Sequence, residues 1–258
     1  MLRFIASCLR TLLGLFWSTV CCSYALVTIL IKPSAATYVL TTIGSNMWSK
    51  NMLRIVGNPG VNVTFESSEA AFDQWPSQAI FIANHRSQLD INASAAAIPH
   101  PIVYLSKASV RKVPILGLLN ERVGTVFIDR SNPTAAKQSV DRLISTLKRG
   151  ISVIVYPEGT RSKDGTMLPF KKGAFHLAAK SQAVIIPLHI HGTRTALPKG
   201  GLLMRKNPVH VRFGNPITPP AADDPHALQA FVKEGQEAVE RMQAWHATNI
   251  ATPDKRRA

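Results

Sequence analysis

Residues 79–90 read AIFIANHRSQLD, and the small-residue stretch INASAAAI follows at 91–98. Five apolar residues with no alternation of polar side chains are the pattern of a strand buried on both faces. The polar run Asn84-His85-Arg86-Ser87-Gln88-Leu89-Asp90 then leads into a stretch of small residues suited to a closely packed helix. A buried strand that hands polar side chains to a helix is the repeating unit of an α/β sheet. Such sheets place their sites at the carboxyl edge.

Working outward, the same unit recurs. Short β-branched runs predict strands at 61–65, 79–83, 102–105, 125–128, 151–155, 184–189 and 209–213. VIV and VIIP are again runs suited to burial on both faces. Between them, 133–149 reads as a helix: Asn132 caps it, Pro133 occupies the first turn, and Gly150 stops it. Its inward stripe is Ala136, Val140, Leu143, Ile144 and Leu147. A last helix is expected from the Asp223-Asp224-Pro225 cap to about Ala247, with Leu228, Phe231, Val232, Val239, Met242 and Trp245 inward. The alternation argues an α/β sandwich over residues 56–250.

The first 55 residues differ. Between Arg10 and Lys32 the chain carries no charge (TLLGLFWSTVCCSYALVTILI), so 11–31 predicts an apolar helix long enough for a bilayer core of roughly 30 Å. No small-residue cleavage site follows, which disfavours a signal peptide. Pro33 interrupts the run, and 34–55 resumes at helical spacing with Val39, Leu40, Ile43 and Met47. This second stretch is expected to be an amphipathic helix with Trp48 and Lys50 in the headgroup zone. Residues 1–55 therefore read as a membrane anchor, and the even flanking charges leave open whether it spans or re-enters.

Composition narrows the chemistry. The 258 residues carry 30 Lys+Arg against 15 Asp+Glu, a formal charge of +15, with only 17% charged residues. Low charge content excludes a disordered or coiled-coil chain, and the basic excess favours anionic partners. Residues 1–65 hold five bases and no acid, whereas 101–212 hold nineteen bases against five acids. The three cysteines (Cys8, Cys21, Cys22) all lie in the anchor, which excludes a cysteine nucleophile from the globular part. Paired CxxC and HExxH zinc spacings are absent, and no metal is expected. His189 and His191 share a strand face at i,i+2, and are expected to be structural rather than ligands.

His85 and Asp90 are five residues apart, too far around a regular helix to meet. With His85 in the loop and Asp90 in the first helical turn, the carboxylate can reach the imidazole. It then sets the tautomer and leaves the other ring nitrogen free to take a proton. No G-x-S-x-G elbow occurs, so the pair suits direct attack by a substrate hydroxyl, with His85 as general base. A second polar turn, Tyr156-Pro157-Glu158-Gly159-Thr160-Arg161-Ser162, follows the strand at 151–155. Arg161 there offers a guanidinium fork for phosphate, with Thr160, Ser162 and nearby amides as further donors. Nucleotide-binding glycine loops are absent.

Together these segments resemble the glycerolipid acyltransferase family, most closely its 1-acylglycerol-3-phosphate acyltransferases. NHRSQLD matches the H-x4-D block, GTVFIDR (124–130) the second, YPEGTRS the third and VIIPLHI (184–190) the fourth, in order. The resemblance covers roughly residues 45–215. It departs at Tyr156, where phenylalanine is commoner, and after Lys107, where Ala-Ser stands for an acid plus an apolar residue.

The resemblance implies a mixed, mostly parallel sheet flanked by helices. It also implies acyl transfer from acyl-CoA or acyl carrier protein to the free sn-2 hydroxyl of a lysophosphatidate. On that pattern His85 is the base and Asp90 orients it. Lys107 and Arg161 bind the acceptor phosphate and Arg130 lines the pocket, while Glu158, Gly159 and Thr160 shape the site, Glu158 by holding an acceptor hydroxyl. The expected partners are a lysophospholipid, an acyl thioester and membrane lipid, with no cofactor and no nucleic acid. The catalytic domain is expected to face the cytoplasm from an inner or cytoplasmic membrane. Two other readings stay open here: an acyltransferase for a different lysolipid, and a non-enzymatic basic protein that binds anionic membranes.

Overall fold

The computed structural model describes residues 1–58, 60–128, 133–221 and 224–250. Seven strands form one sheet among the described residues: β1 (Asn62–Phe65), β2 (Ile80–Ala83), β3 (Ile102–Lys107), β4 (Val126–Ile128), β5 (Ser152–Val155), β6 (Ile185–His191) and β7 (His210–Phe213). All seven expected strands are present, shifted by a residue or two at their ends. The order is β1-β7-β6-β2-β5-β3-β4. Every neighbouring pair is parallel except β6–β7. The expected mixed, mostly parallel α/β sheet is therefore the fold.

Residue alternation along β2 explains why its sequence does not alternate. Ile80 and Ile82 enter one core layer, with Val103, Val153, Val155, Leu143, Phe175 and Phe231. Phe81 and Ala83 enter the other, with Ile154, Ile186, Leu188, Val211 and Phe213. A strand covered on both faces needs apolar side chains at every position.

The helices are α1 (Leu2–Ile31), the short α2 (Ala36–Tyr38), α3 (Lys50–Ile55), α4 (Asp90–Ala97), α5 (Leu116–Val123), α6 (Pro133–Lys148), α7 (Gly173–Ser181), α8 (Thr193–Ala196) and α9 (Pro225–Asn249). Asp224 caps α9, its Oδ1 accepting both His226 N–H and Ala227 N–H at 2.9 Å. The expected caps Asn132 and Asp223 lie outside the described residues. Alanines of α4 (Ala93, Ala95, Ala97) are buried, so the small residues do allow close packing.

The amino-terminal segment differs from expectation in form. The stretch predicted as one amphipathic helix is helical, but its centre, Val39–Ser49, is a π-helix between α2 and α3. Trp48 does not project freely: its indole N–H donates to Ser18 Oγ of α1 at 2.9 Å. Trp17 of α1 returns the contact, donating to the Met47 carbonyl at 3.2 Å. Met52 and Leu53 of α3 belong to the same core layer as Phe81. The two amino-terminal helical stretches are thus a packed layer of the molecule.

Candidate active site

Apolar β2 buries itself and stops at Ala83, where polar residues begin. Asn84 fastens the turn to β6: its amide donates to the Ile190 carbonyl and its Oδ1 accepts Ile190 N–H, at 2.9 and 2.7 Å. The chain then curls so that Asp90, first residue of α4, reaches back to His85. His85 Nδ1 lies 2.9 Å from Asp90 Oδ2. The same oxygen accepts Arg86 N–H at 2.7 Å and Ser87 N–H at 2.8 Å. Asp90 Oδ1 accepts the Thr193 hydroxyl at 2.6 Å. Asp90 is wholly buried, and four donors compensate its charge, as burial of a carboxylate demands. A carboxylate can only accept, so His85 carries its proton on Nδ1 and leaves the Nε2 lone pair free.

The second loop leaves the neighbouring strand, β5. Gly159 adopts φ +75°, the left-handed turn that lets Glu158 point inward. Glu158 Oε1 accepts the His85 backbone N–H at 2.6 Å, and its Oε2 accepts Leu168 N–H at 2.9 Å. Ser162 N–H closes the bracket by donating to the His85 carbonyl at 2.8 Å. Burial raises the Glu158 pKa, against the two amides and the nearby Arg86 and His85. Both carboxylate oxygens are committed to backbone, so Glu158 shapes the loop pair.

The His85 imidazole lies flat on the Tyr156 ring, with centroids 4.1 Å apart and planes at 14°. The Tyr156 hydroxyl is within 3.2 Å of Ser94 Oγ, which also meets the Tyr104 hydroxyl at 3.3 Å. Tyr104 in turn donates to the Ile91 carbonyl at 2.8 Å. The hydroxyl that distinguishes Tyr156 from phenylalanine is therefore anchored, and burial raises its pKa well above the usual range. Beyond Tyr104 opens an apolar cavity of about 200 Å³ between α1, the π-helix, α4 and α5. Gln88, from the loop between His85 and Asp90, lines it beside Ile91, Ala95 and Ile43.

Of the remaining expected residues, Lys107, Thr160 and Arg161 lie at the same edge. Continuing the register of β2, β5 and β3 places Lys107 level with Asn84 and Pro157. It is exposed, two strand spacings (about 10 Å) from β2. Arg161 is half-buried and Thr160 exposed, next to the residue that bonds the His85 carbonyl. Arg130 lies outside the described residues.

Three contributors escaped the sequence reading. Thr193 completes the Asp90 shell from 103 residues away. Lys199 donates to the Arg161 carbonyl at 2.6 Å. Arg86 donates to Gln243 Oε1 of α9 at 2.7 Å. The one available signal was that Thr193 follows the fourth block at a strand's carboxyl end.

His189 and His191, read as structural, pack with His210 and His246. His189 Nδ1 and His246 Nδ1 are 2.7 Å apart, and His191 stacks on His246 at 5.3 Å. The Nε2 atoms of His189 and His246 have no hydrogen-bond partner. Burial, together with the neighbouring histidines, depresses the His246 pKa to about 3 and holds His189 well below its usual value. Among the described residues, no group of three or more His, Cys, Asp or Glu could hold a metal ion.

Comparison with known proteins adds independent findings. A sequence model of the family described as Acyltransferase matches residues 62–191. A 1-acyl-sn-glycerol-3-phosphate acyltransferase of Cocos nucifera is 38% identical over 167 residues, 64% of this chain and 52% of that protein. The protein of that name from Saccharomyces cerevisiae is 39% identical over 143 residues, 54% of this chain and 47% of the other. The chain spans about half the length of these curated relatives. The crystal structure of the 1-acyl-sn-glycerophosphate (LPA) acyltransferase PlsC from Thermotoga maritima superposes with a TM-score of 0.73 at 28% identity. That superposition covers 94% of this chain and 98% of the other.

Proposed function

Because the chain belongs to the acyltransferase family, we propose that it is a membrane-bound 1-acylglycerol-3-phosphate O-acyltransferase. The observation that carries the reading is His85, oriented by buried Asp90 on a loop whose Gln88 lines an apolar cavity, with basic side chains at the same sheet edge. His85 Nε2 takes the proton of the acceptor's sn-2 hydroxyl as its oxygen attacks the thioester carbonyl. The tetrahedral intermediate collapses by breaking the C–S bond, and His85 returns the proton to the departing thiolate. The products are phosphatidic acid and a free thiol, either CoA or acyl carrier protein. Asp90 stabilises the imidazolium that forms between these steps.

Arg161 and Lys107 are assigned to the acceptor phosphate, with Arg130 lining the pocket. Gly159 and Thr160 hold Arg161 in position, and Glu158 ties that turn to His85. The apolar cavity receives an acyl chain. On α1, buried Ser7, Gly14, Cys21, Ala25 and Ile29 face the molecule over most of the helix, while Leu9, Leu12, Phe16 and Val27 are exposed. A helix packed along its length in this way suits seating in one leaflet, with the catalytic domain on the cytoplasmic side.

Turnover by the membrane-reconstituted protein with lysophosphatidate and acyl-CoA tests the reading. His85→Ala is expected to lower kcat by about 10²–10⁴-fold, and near-normal turnover would sink the mechanism. Arg161→Ala should mainly raise the acceptor KM, since phosphate is held before and during reaction alike. A panel of lysolipids then separates a phosphate monoester acceptor from phosphodiester ones.

A further inference from the structure

The chain between α8 and β7 carries Lys199-Gly200-Gly201-Leu202-Leu203-Met204-Arg205-Lys206. Gly200 has φ +80°, and the turn it makes pushes Leu202 outward to 83% exposure. A lone exposed leucine needs no explanation, but this one is not alone. The Thr11 hydroxyl of α1 donates to the Leu202 carbonyl at 3.3 Å and accepts Met204 N–H at 2.9 Å. Met204 is buried against Gly14, where a Cβ would come within 3.2 Å of its thioether. The loop is thus fastened to α1 beside a group of exposed apolar residues. Leu9, Leu12, Leu13, Leu15 and Phe16 around Thr11 are each more than half exposed.

Charge flanks the same spot. Arg205 and Lys206 are exposed, and the Lys206 stem lies over Gly57, whose added Cβ would meet its Cγ at 2.5 Å. Such an arrangement keeps the methylenes packed and sends the ammonium outward. At the loop's other end, Lys199 Nζ donates to the Arg161 carbonyl and lies 3.3 Å from Thr160 Oγ1. One short segment therefore touches the exposed apolar helix at one end and the turn assigned to the acceptor at the other.

We propose that loop 199–206 is a second membrane contact: Leu202 enters the acyl region of an anionic bilayer while Arg205 and Lys206 meet its phosphates. Through Lys199 the loop joins that surface to the Thr160 and Arg161 turn. This rests on the membrane seating of α1 given above. Apolar surface continuous with α1, rimmed by cations, matches a leaflet's sequence of acyl chains and phosphates.

The test places a genetically encoded, polarity-sensitive fluorescent amino acid in the full chain at one of three positions. These are 202, 12 on α1, and 233, the site of exposed Lys233 on α9. Each variant is reconstituted in vesicles of phosphatidylcholine and phosphatidylglycerol. Blue-shifted emission at 202 and 12, quenched by lipids carrying a nitroxide on the acyl chain, is expected, with 233 remaining aqueous. A buried probe at 12 with an aqueous one at 202 overturns the loop proposal and leaves the seating of α1 standing. An aqueous probe at 12 overturns both. A shift at 202 that follows the protein-to-lipid ratio assigns the loop to a second copy of the chain and overturns it as well. Leu202→Ser, at an exposed position, should raise the KM for vesicle-borne lysophosphatidate severalfold with kcat unchanged. An unaltered KM would refute the coupling to Arg161.

Discussion

Two buried ionisable groups in this molecule are treated in opposite ways. Asp90 is fully buried and receives four hydrogen bonds, two from backbone amides, one from Thr193 and one from His85. His189 and His246 are buried as deeply, yet they turn Nδ1 toward each other and their Nε2 atoms have no hydrogen-bond partner. The first arrangement holds a charge inside the protein; the second excludes one. Burial alone decides neither case. What separates them is the supply of donors: the turn 84–90 aims its amides at one carboxylate, whereas β6, β7 and α9 gather imidazoles beside the cation Arg212, with Arg86 of the turn nearby.

The largest expected effect comes from breaking the charged side of this contrast. Asp90→Asn can keep one oxygen toward Arg86 N–H, Ser87 N–H and His85, with its amide turned to Thr193. The loop should therefore survive while the charge is lost. Steady-state kinetics should show kcat reduced by about 10²–10⁴-fold. Turnover near that of the parent would mean that the carboxylate charge does not support His85.

A smaller effect should come from the uncharged side. The folded pKa of His246 lies near 3, below the roughly 6.5 of the unfolded chain. The unfolded state then gains protons that the native state refuses. The stability present above pH 6.5 is lost as pH falls toward 3, by up to about 1.4 kcal/mol per pH unit for each such imidazole. The facing groups are His189, His191, His210 and Arg212, with Arg86 beside His189 and His191. His246→Leu should flatten the decline of Tm between pH 6.5 and 4.5 in thermal melts. Parallel curves for parent and variant would show that the pair is protonated in the fold.

The smallest change probes the platform between the two regions. Tyr156→Phe keeps the ring beneath His85 and removes only the hydroxyl near Ser94. A loss of about 0.5–1.5 kcal/mol in stability is expected, with kcat within threefold of the parent (roughly one hydrogen bond's worth at most). A collapse of kcat would assign the hydroxyl a part in the chemistry.

Much of this was legible from the chain. The α/β class, the seven strands, the His85–Asp90 approach and the placement of the 156–162 turn at one sheet edge all follow from runs of a few residues. Other parts were not. Residues 34–55 were read as a regular amphipathic helix, yet the chain widens into a π-helix over Val39–Ser49. Spacing of apolar residues does not reveal this, because it reports which face is buried and not the hydrogen-bond register. Trp48, expected in the headgroup zone, binds Ser18, a partner that only helix–helix packing supplies. Glu158 was read as shaping the site, with a hydroxyl of the substrate in reach. Its two oxygens belong to His85 N–H and Leu168 N–H.

The sequence by itself determined the layered architecture, the apolar amino-terminal helix and the pairing of His85 with Asp90. Those depend on periodicity within one strand or helix and on five-residue proximity along the chain. Only the tertiary structure decided how Asp90 keeps its charge, through Thr193 from the far end of β6, and how four histidines from β6, β7 and α9 come to share one apolar site. It also decided that the 199–206 loop ties α1 to the Arg161 turn. Contacts between segments 38 to 193 residues apart depend on how finished layers dock, and no local spacing carries that information.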